Sequence, residues 1–139
     1  MHPFSGDPLR CWPLERWLAL LPWLLDQGFE RILLVASPSE REEHAGGLER
    51  FQKSLGTRLI FSQNLVADLA SCALFVGSDS GPLHLASALG IPSLGLYLDE
   101  KAAYHPRGQG RVVILSRPSL EQIQVLEVLE ALKCLRARM

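Results

Sequence analysis

Short, unbroken apolar runs alternate along the chain with longer segments whose apolar residues recur at helical spacing. The runs are Ile32-Leu33-Leu34-Val35, Leu74-Phe75-Val76, Pro92 to Tyr97 and Val112-Val113-Ile114-Leu115, with Arg58 to Phe61 as a weaker one. Runs that are continuous rather than alternating predict strands buried on both faces.

The segments between them predict helices. The first opens at Trp12-Pro13, since proline suits a first helical turn. Its apolar face is Trp17, Leu20, Leu21 and Leu24, Pro22 predicts a kink or break, and Gly28 is a plausible end. A second helix is predicted from Ser39 to Leu55, with Ser39 and Glu42 as a capping box, Gly46-Gly47 weakening its middle and Gly56 stopping it. A third spans Asn64 to Ser71 and a fourth Gly81 to Leu89. The last spans Ser119 to Arg136, with Ser119 and Gln122 as its box and Leu120, Ile123, Leu126, Leu129 and Leu132 as its stripe. Alternating helices and buried strands with short links predict an α/β fold with parallel strands and right-handed crossovers. One irregular stretch, Leu98 to Gly110, is long enough to suggest a functional loop. Met1-His2-Pro3 reads as the tail of a strand ahead of the first helix. That leaves three options: a fragment, an unusual start, or a sheet without that strand.

Composition narrows the classes. The chain has 139 residues, 47% hydrophobic and 21% charged, which suits one globular domain over residues 1–139. A net charge of −1 argues against a nucleic-acid partner. The three cysteines, Cys11, Cys72 and Cys134, are scattered, with neither zinc spacing nor a disulfide framework, so a reducing cytoplasm is expected. The most apolar early stretch, Trp17 to Leu25, falls short of the roughly 20 residues of a membrane span. Peripheral membrane contact stays open.

The chemistry concentrates in Gly77-Ser78-Asp79-Ser80-Gly81-Pro82-Leu83-His84, between a buried strand and a helix. Ligands of parallel α/β sheets bind outside the carboxyl ends of strands, where a helix N-terminus presents free N–H groups to an anion. Gly81 allows close backbone approach, Ser80 offers a hydroxyl donor, and Pro82 loses nothing in the first turn. A diphosphate cradle is one reading. An ordinary strand-to-helix turn capped by Asp79 or Ser80 is the other. His84, near the binding end, is more often a packed or capping residue than a catalyst.

The stretch from Val76 to Pro92 closely resembles the D-[ST]-G-P-x-H-L-A-x-A-L-G-x-P signature of glycosyltransferase family 9, the ADP-heptose:lipopolysaccharide heptosyltransferase family. His2-Pro3 followed by Arg10-Cys11-Trp12-Pro13 is similar to the family's H-P-G-x-S…K-x-W-P segment. Ser37-Pro38-Ser39-Glu40 stands where the family often has G-x-x-E, and Tyr104-His105-Pro106-Arg107-Gly108 resembles its W-G-P-Y-G loop. Three departures stand out. Phe4 replaces a glycine and would crowd a phosphate, Arg10 replaces a lysine, and Tyr97-Leu98-Asp99-Glu100 replaces F-G-x-T.

The resemblance implies a Rossmann-like parallel sheet with helices on both faces, the C-terminal, donor-binding half of a GT-B glycosyltransferase. The N-terminal acceptor domain would be absent and the first strand truncated. It implies a nucleoside diphosphate-sugar donor, ADP-heptose, held by Arg10, Glu40, Asp79, Ser80, Gly81, Pro82 and His84. Arg10 would grip phosphate. Glu40 would accept from ribose hydroxyls, although a solvated first-turn acid is an equal reading from the residues alone. The catalytic base would belong to the missing half, with Asp79 orienting the cradle, and no metal or cofactor is expected. A separate N-terminal chain or a second copy would be the partner. The alternatives are a non-catalytic nucleotide-binding or regulatory module and an epimerase-like or phosphatase-like α/β protein.

Overall fold

The computed structural model describes residues 1–138. Five parallel strands follow one another: β1 (Ile32–Leu34), β2 (Leu59–Phe61), β3 (Phe75–Ser78), β4 (Ser93–Leu98) and β5 (Val112–Arg117). They form two hydrogen-bonded groups, β1-β2 and β3-β4-β5. Met1 and His2 lie in the sheet between these groups. The Met1 amino group donates to the Leu33 carbonyl at 2.6 Å, and Val35 N–H donates to Met1 at 2.9 Å. On the other side His2 N–H donates to Val76 at 2.9 Å. The order across the sheet is therefore β2, β1, Met1–His2, β3, β4, β5, and the connections reverse direction between Met1–His2 and β3. A cavity of about 520 Å³ lies beside Met1 at the amino ends of β1 and β3, lined by Leu24, Ile32, Leu33, Leu74 and Val76 among others.

The helices are α1 (Leu14–Asp26), α2 (Pro38–Glu43), α3 (Ala45–Leu55), α4 (Leu65–Ala70), α5 (Gly81–Ala88) and α6 (Val125–Ala137). Successive strand residues point to opposite faces, which makes two cores. Leu34, Val76, Leu94 and Leu96 pack with Trp17, Leu20 and Leu24 of α1, Phe51 of α3 and Leu132 of α6. Val35, Phe75 and Tyr97 pack with Leu69 of α4 and Leu83 and Ala86 of α5. Helices on both faces are what the buried runs of β3 and β4 require, and the α/β expectation holds; β5, hydrogen-bonded to β4 alone at the end of the strand order, is only half-buried, contrary to the expectation for its run.

Local differences from the sequence expectations have physical reasons. The predicted 39–55 helix is two helices that meet at His44, and its box is Ser37 with Glu40 rather than Ser39 with Glu42. Glu40 N–H donates to Ser37 Oγ and Ser37 N–H to Glu40 Oε1, both at 3.2 Å. Pro38 then takes the first turn, where its missing N–H costs nothing. The last segment starts as a single 3-10 turn, Leu120–Gln122, and extended backbone at Ile123 resets the phase before α6. Leu126 consequently faces solvent at 66% exposure, and Val128, Leu132 and Leu135 form the buried stripe. In α1 the helix continues through Pro22, which sits on the solvent face.

The long 98–110 stretch contains a 3-10 segment, Asp99–Tyr104, and is then pinned to the end of α5. Gly108 N–H donates to Ser87 Oγ at 3.1 Å, and Gly110 N–H to the Ser87 carbonyl at 2.9 Å. A Cβ on Gly108 would stand 2.6 Å from the Ser87 backbone, an approach that only glycine tolerates. Gly108→Ala is therefore expected to destabilise the fold by about 1–3 kcal/mol, as overpacking does. Thermal unfolding checks this, with a fall of several degrees expected on the general scaling of about 2–4 °C per kcal/mol for domains of this size.

Candidate functional site

The reversal of strand order sets the place. In open parallel sheets the crevice outside the carboxyl ends, at the switch point, is where ligands bind. Here the loops after Met1–His2, β1 and β3 meet at that point, and each brings polar side chains.

His2 is buried, and its ring spans two loops. Nε2 lies 3.1 Å from Glu40 Oε2, and Nδ1 lies 3.0 Å from Ser80 Oγ. Glu40 reaches this position because the Ser37 cap starts α2 immediately after β1 and fixes the third helical residue beside the sheet end. The carboxylate thus serves both the cap and His2, with lone pairs left over for a further donor. Burial is the largest influence on His2 and lowers its pKa below the ordinary value. The Glu40 carboxylate and its hydrogen bond pull the other way, and the nearby Met1 amino group adds to the lowering.

Ser80 is the N-cap residue of α5, but its hydroxyl makes no cap hydrogen bond and meets His2 instead. The first turn of α5 is consequently left to face solvent. Gly81 is exposed, its φ is not in the left-handed region, and a Cβ there would touch nothing within 4 Å. Neither backbone strain nor internal crowding demands a glycine at this position. Pro82 occupies the first turn, as expected.

Arg10 comes from a short 3-10 turn, Pro8–Arg10, that the Asp7 side chain caps by accepting from Leu9 N–H at 3.0 Å. Its Nη1 lies 3.7 Å from Asp79 Oδ2, and its Nε lies 3.8 Å from Asp7. Asp79 is also beside Tyr97, whose hydroxyl is buried without a hydrogen-bond partner among the described residues. Burial, and then the Asp79 carboxylate, push the Tyr97 phenol well above its usual range.

Six of the seven residues singled out from sequence therefore gather here: Arg10, Glu40, Asp79, Ser80, Gly81 and Pro82. His84 lies one turn along α5, exposed rather than packed, outside the His2–Glu40–Ser80 chain. His2, which joins the parts, is the residue that sequence reasoning missed. The available signal was a histidine at the end of the strand-like Met1-His2-Pro3. The bulk of Phe4 is taken up by the core: its ring is buried, stacked on His44 at 4.5 Å and edge-on to His2.

Electrostatically the site pairs one cation with several acids but leaves the α5 N–H groups unopposed, which suits an anion that also offers hydroxyls. Neither the 520 Å³ cavity nor a second of about 460 Å³, near Trp12 and Trp17, is lined by Arg10, Glu40, Asp79 or Ser80. Among the described residues no three His, Cys, Asp or Glu side chains group to hold a metal, and no helix is long and apolar enough to cross a membrane.

Comparison with known proteins agrees in sequence and in shape. The family model of glycosyltransferase family 9 (heptosyltransferase) matches residues 2–134. A putative glycosyltransferase of Haemophilus influenzae is 30% identical over 107 residues, covering 74% of this chain and 31% of the relative. Lipopolysaccharide heptosyltransferase 2 of Escherichia coli is 26% identical over 99 residues, covering 65% of this chain and 27% of that protein. The glycosyl transferase family 9 structure from Veillonella parvula superposes with a TM-score of 0.78 at 20% identity, over 99% of this chain and 45% of that one. The E. coli heptosyltransferase WaaC with ADP gives a TM-score of 0.78 at 22% identity, over 96% of this chain and 42% of that one. The chain thus spans about a third of the length of the curated relatives and under half of the solved ones.

The double duty of Glu40 has a measurable consequence. Glu40→Ala removes half a capping box and leaves His2 without its acceptor, and is expected to cost about 1 kcal/mol. Glu40→Gln, which keeps a cap acceptor, should cost clearly less, and urea unfolding of the two variants checks the order. For His2 the fold favours the neutral ring. Its contribution is full above about pH 6.5, the ordinary histidine value, and is lost as pH falls through the lowered folded-state value. Stability measured between pH 5 and 7 should therefore rise less steeply with pH in His2→Gln than in the parent chain.

Proposed function

Because this chain belongs to glycosyltransferase family 9, we propose that it is the donor-binding, C-terminal part of a heptosyltransferase-like enzyme of lipopolysaccharide or cell-surface glycan synthesis. Its donor in this reading is a nucleoside diphosphate-sugar, ADP-heptose. The observation that carries the reading is the convergence of His2, Arg10, Glu40, Asp79 and Ser80 at the sheet's switch point, beside the unopposed N-terminus of α5. The E. coli heptosyltransferase structures were obtained with ADP and with ADP-2-deoxy-2-fluoro heptose, which supports a donor of that class.

In this reading the diphosphate lies on the α5 N–H groups with Gly81 beneath it, and Arg10 supplies the cation. Glu40 accepts from the ribose hydroxyls. Asp79, paired with Arg10, orients the guanidinium rather than abstracting a proton. The acceptor hydroxyl attacks the anomeric carbon, its proton passes to a carboxylate of an N-terminal acceptor domain, and the nucleoside diphosphate leaves. Fixed N–H dipoles and Arg10 stabilise the charge that develops on the leaving group. The N-terminal acceptor domain would face this site across a cleft, on the cytoplasmic side of the membrane.

Gly81→Asp tests the assignment cleanly. The site around residue 81 is open, so the fold accepts the side chain, and an acid in the first turn suits the helix dipole. The same carboxylate occupies and repels the phosphate position. Calorimetric titration with ADP, GDP, UDP and ADP-heptose should give binding to the adenine compounds. In Gly81→Asp that binding should weaken at least about a hundredfold, a difference of roughly 2.7 kcal/mol, with an unchanged melting temperature. Equal affinity in the variant would overturn the cradle, and binding of a different nucleotide would replace the donor base.

A further inference from the structure

We propose that His2 is a positioning residue that takes up a proton when a phosphate group binds at the α5 N-terminus, and in doing so turns the Ser80 hydroxyl toward that phosphate. The inference rests on the nucleotide-site reading above and adds a residue and a proton to it.

The argument begins with what each partner of the ring is able to do. An ionised carboxylate only accepts, so the ring nitrogen facing Glu40, Nε2 at 3.1 Å, carries a hydrogen. With His2 neutral, Nδ1 then bears the lone pair, and the Ser80 hydroxyl at 3.0 Å donates to it. In that state Ser80 presents only lone pairs to the end of α5. A phosphate oxygen also presents only lone pairs, so the two repel. Protonating Nδ1 reverses the bond: Nδ1–H donates to Ser80 Oγ, and the serine proton is released to donate to the phosphate.

Ser80 is free to switch because its hydroxyl caps nothing. The proton comes from solvent, one per phosphate bound, and the imidazolium is flanked by Glu40 on one side and the bound anion on the other. The other charged groups around the ring are the Met1 amino group, which opposes protonation, and the Arg10–Asp79 pair next to Ser80. Burial holds the free ring neutral near pH 7, so protonation is coupled to the arrival of the anion rather than present beforehand.

The test is ADP titration of the full chain from pH 5.5 to 8.5, in pairs of buffers that differ in protonation enthalpy. The parent chain should take up close to one proton more than Ser80→Ala does, and ADP affinity should rise as pH falls, by about tenfold more than in that variant. Comparing the two cancels the titration of ADP's own phosphate. His2→Gln should bind ADP more weakly, with the same flat residual pH dependence as Ser80→Ala. If His2→Gln does not fold, Ser80→Ala alone decides, since that hydroxyl caps no helix and its loss leaves the His2–Glu40 bond in place. Identical proton counts and pH slopes in parent and Ser80→Ala would overturn the proton link while leaving the site standing. No ADP binding at any pH would overturn the site reading, and the proposal with it.

Discussion

The sheet is held together at its middle by two residues. Met1 bonds to Leu33 and Val35 on one side, and His2 bonds to Val76 on the other. Nothing else among the described residues joins the β1-β2 ladder to the β3-β4-β5 ladder by strand pairing. Because these residues are where the connections change direction, the backbone bonds that close the sheet also fix the imidazole between Glu40 and Ser80. Fold and candidate site depend on the same few hydrogen bonds. The buried ring is expensive to hold there unless both nitrogens are satisfied, and both are.

Around that point the design leaves binding groups unspent. A helix start normally consumes its cap hydroxyl on its own N–H groups. In α5 the cap serine is drawn away by His2, and the glycine after it is required neither by backbone conformation nor by crowding. Such a helix end has free donors and open space. The neighbouring Arg10–Asp79 pair, weakly held at 3.7 Å, supplies a cation that need not break a strong bond to reach an anion.

Much of this was legible from residue order. The strand runs were found within a residue or two, because burial on both faces leaves an unbroken apolar signature. The start of α5 was legible because glycine, serine and proline each serve a different need of a helix start. Helix starts inside polar segments were less legible. Ser37 and Ser39 both stand three residues before a glutamate, and only the length of the link after β1 selects the first. The phase of α6 was misjudged for a similar reason: extended backbone at Ile123 resets a stripe that sequence spacing carries straight through to Leu126.

The sequence by itself therefore determined the class of fold, the position of the strand-to-helix turn before α5 and the family, since periodicity and turn chemistry are local properties. What only the tertiary structure decided is how distant residues share one imidazole ring and one carboxylate. Glu40 read equally as a solvated acid or a ligand, and it is a cap that also holds a histidine 38 positions away. His2 was legible as part of a strand-end segment but not as the link between Glu40 and Ser80, because those two partners lie on loops that meet only when the sheet reverses its order. Long-range pairings of this kind are fixed by strand topology, to which short-range spacing along the chain is blind.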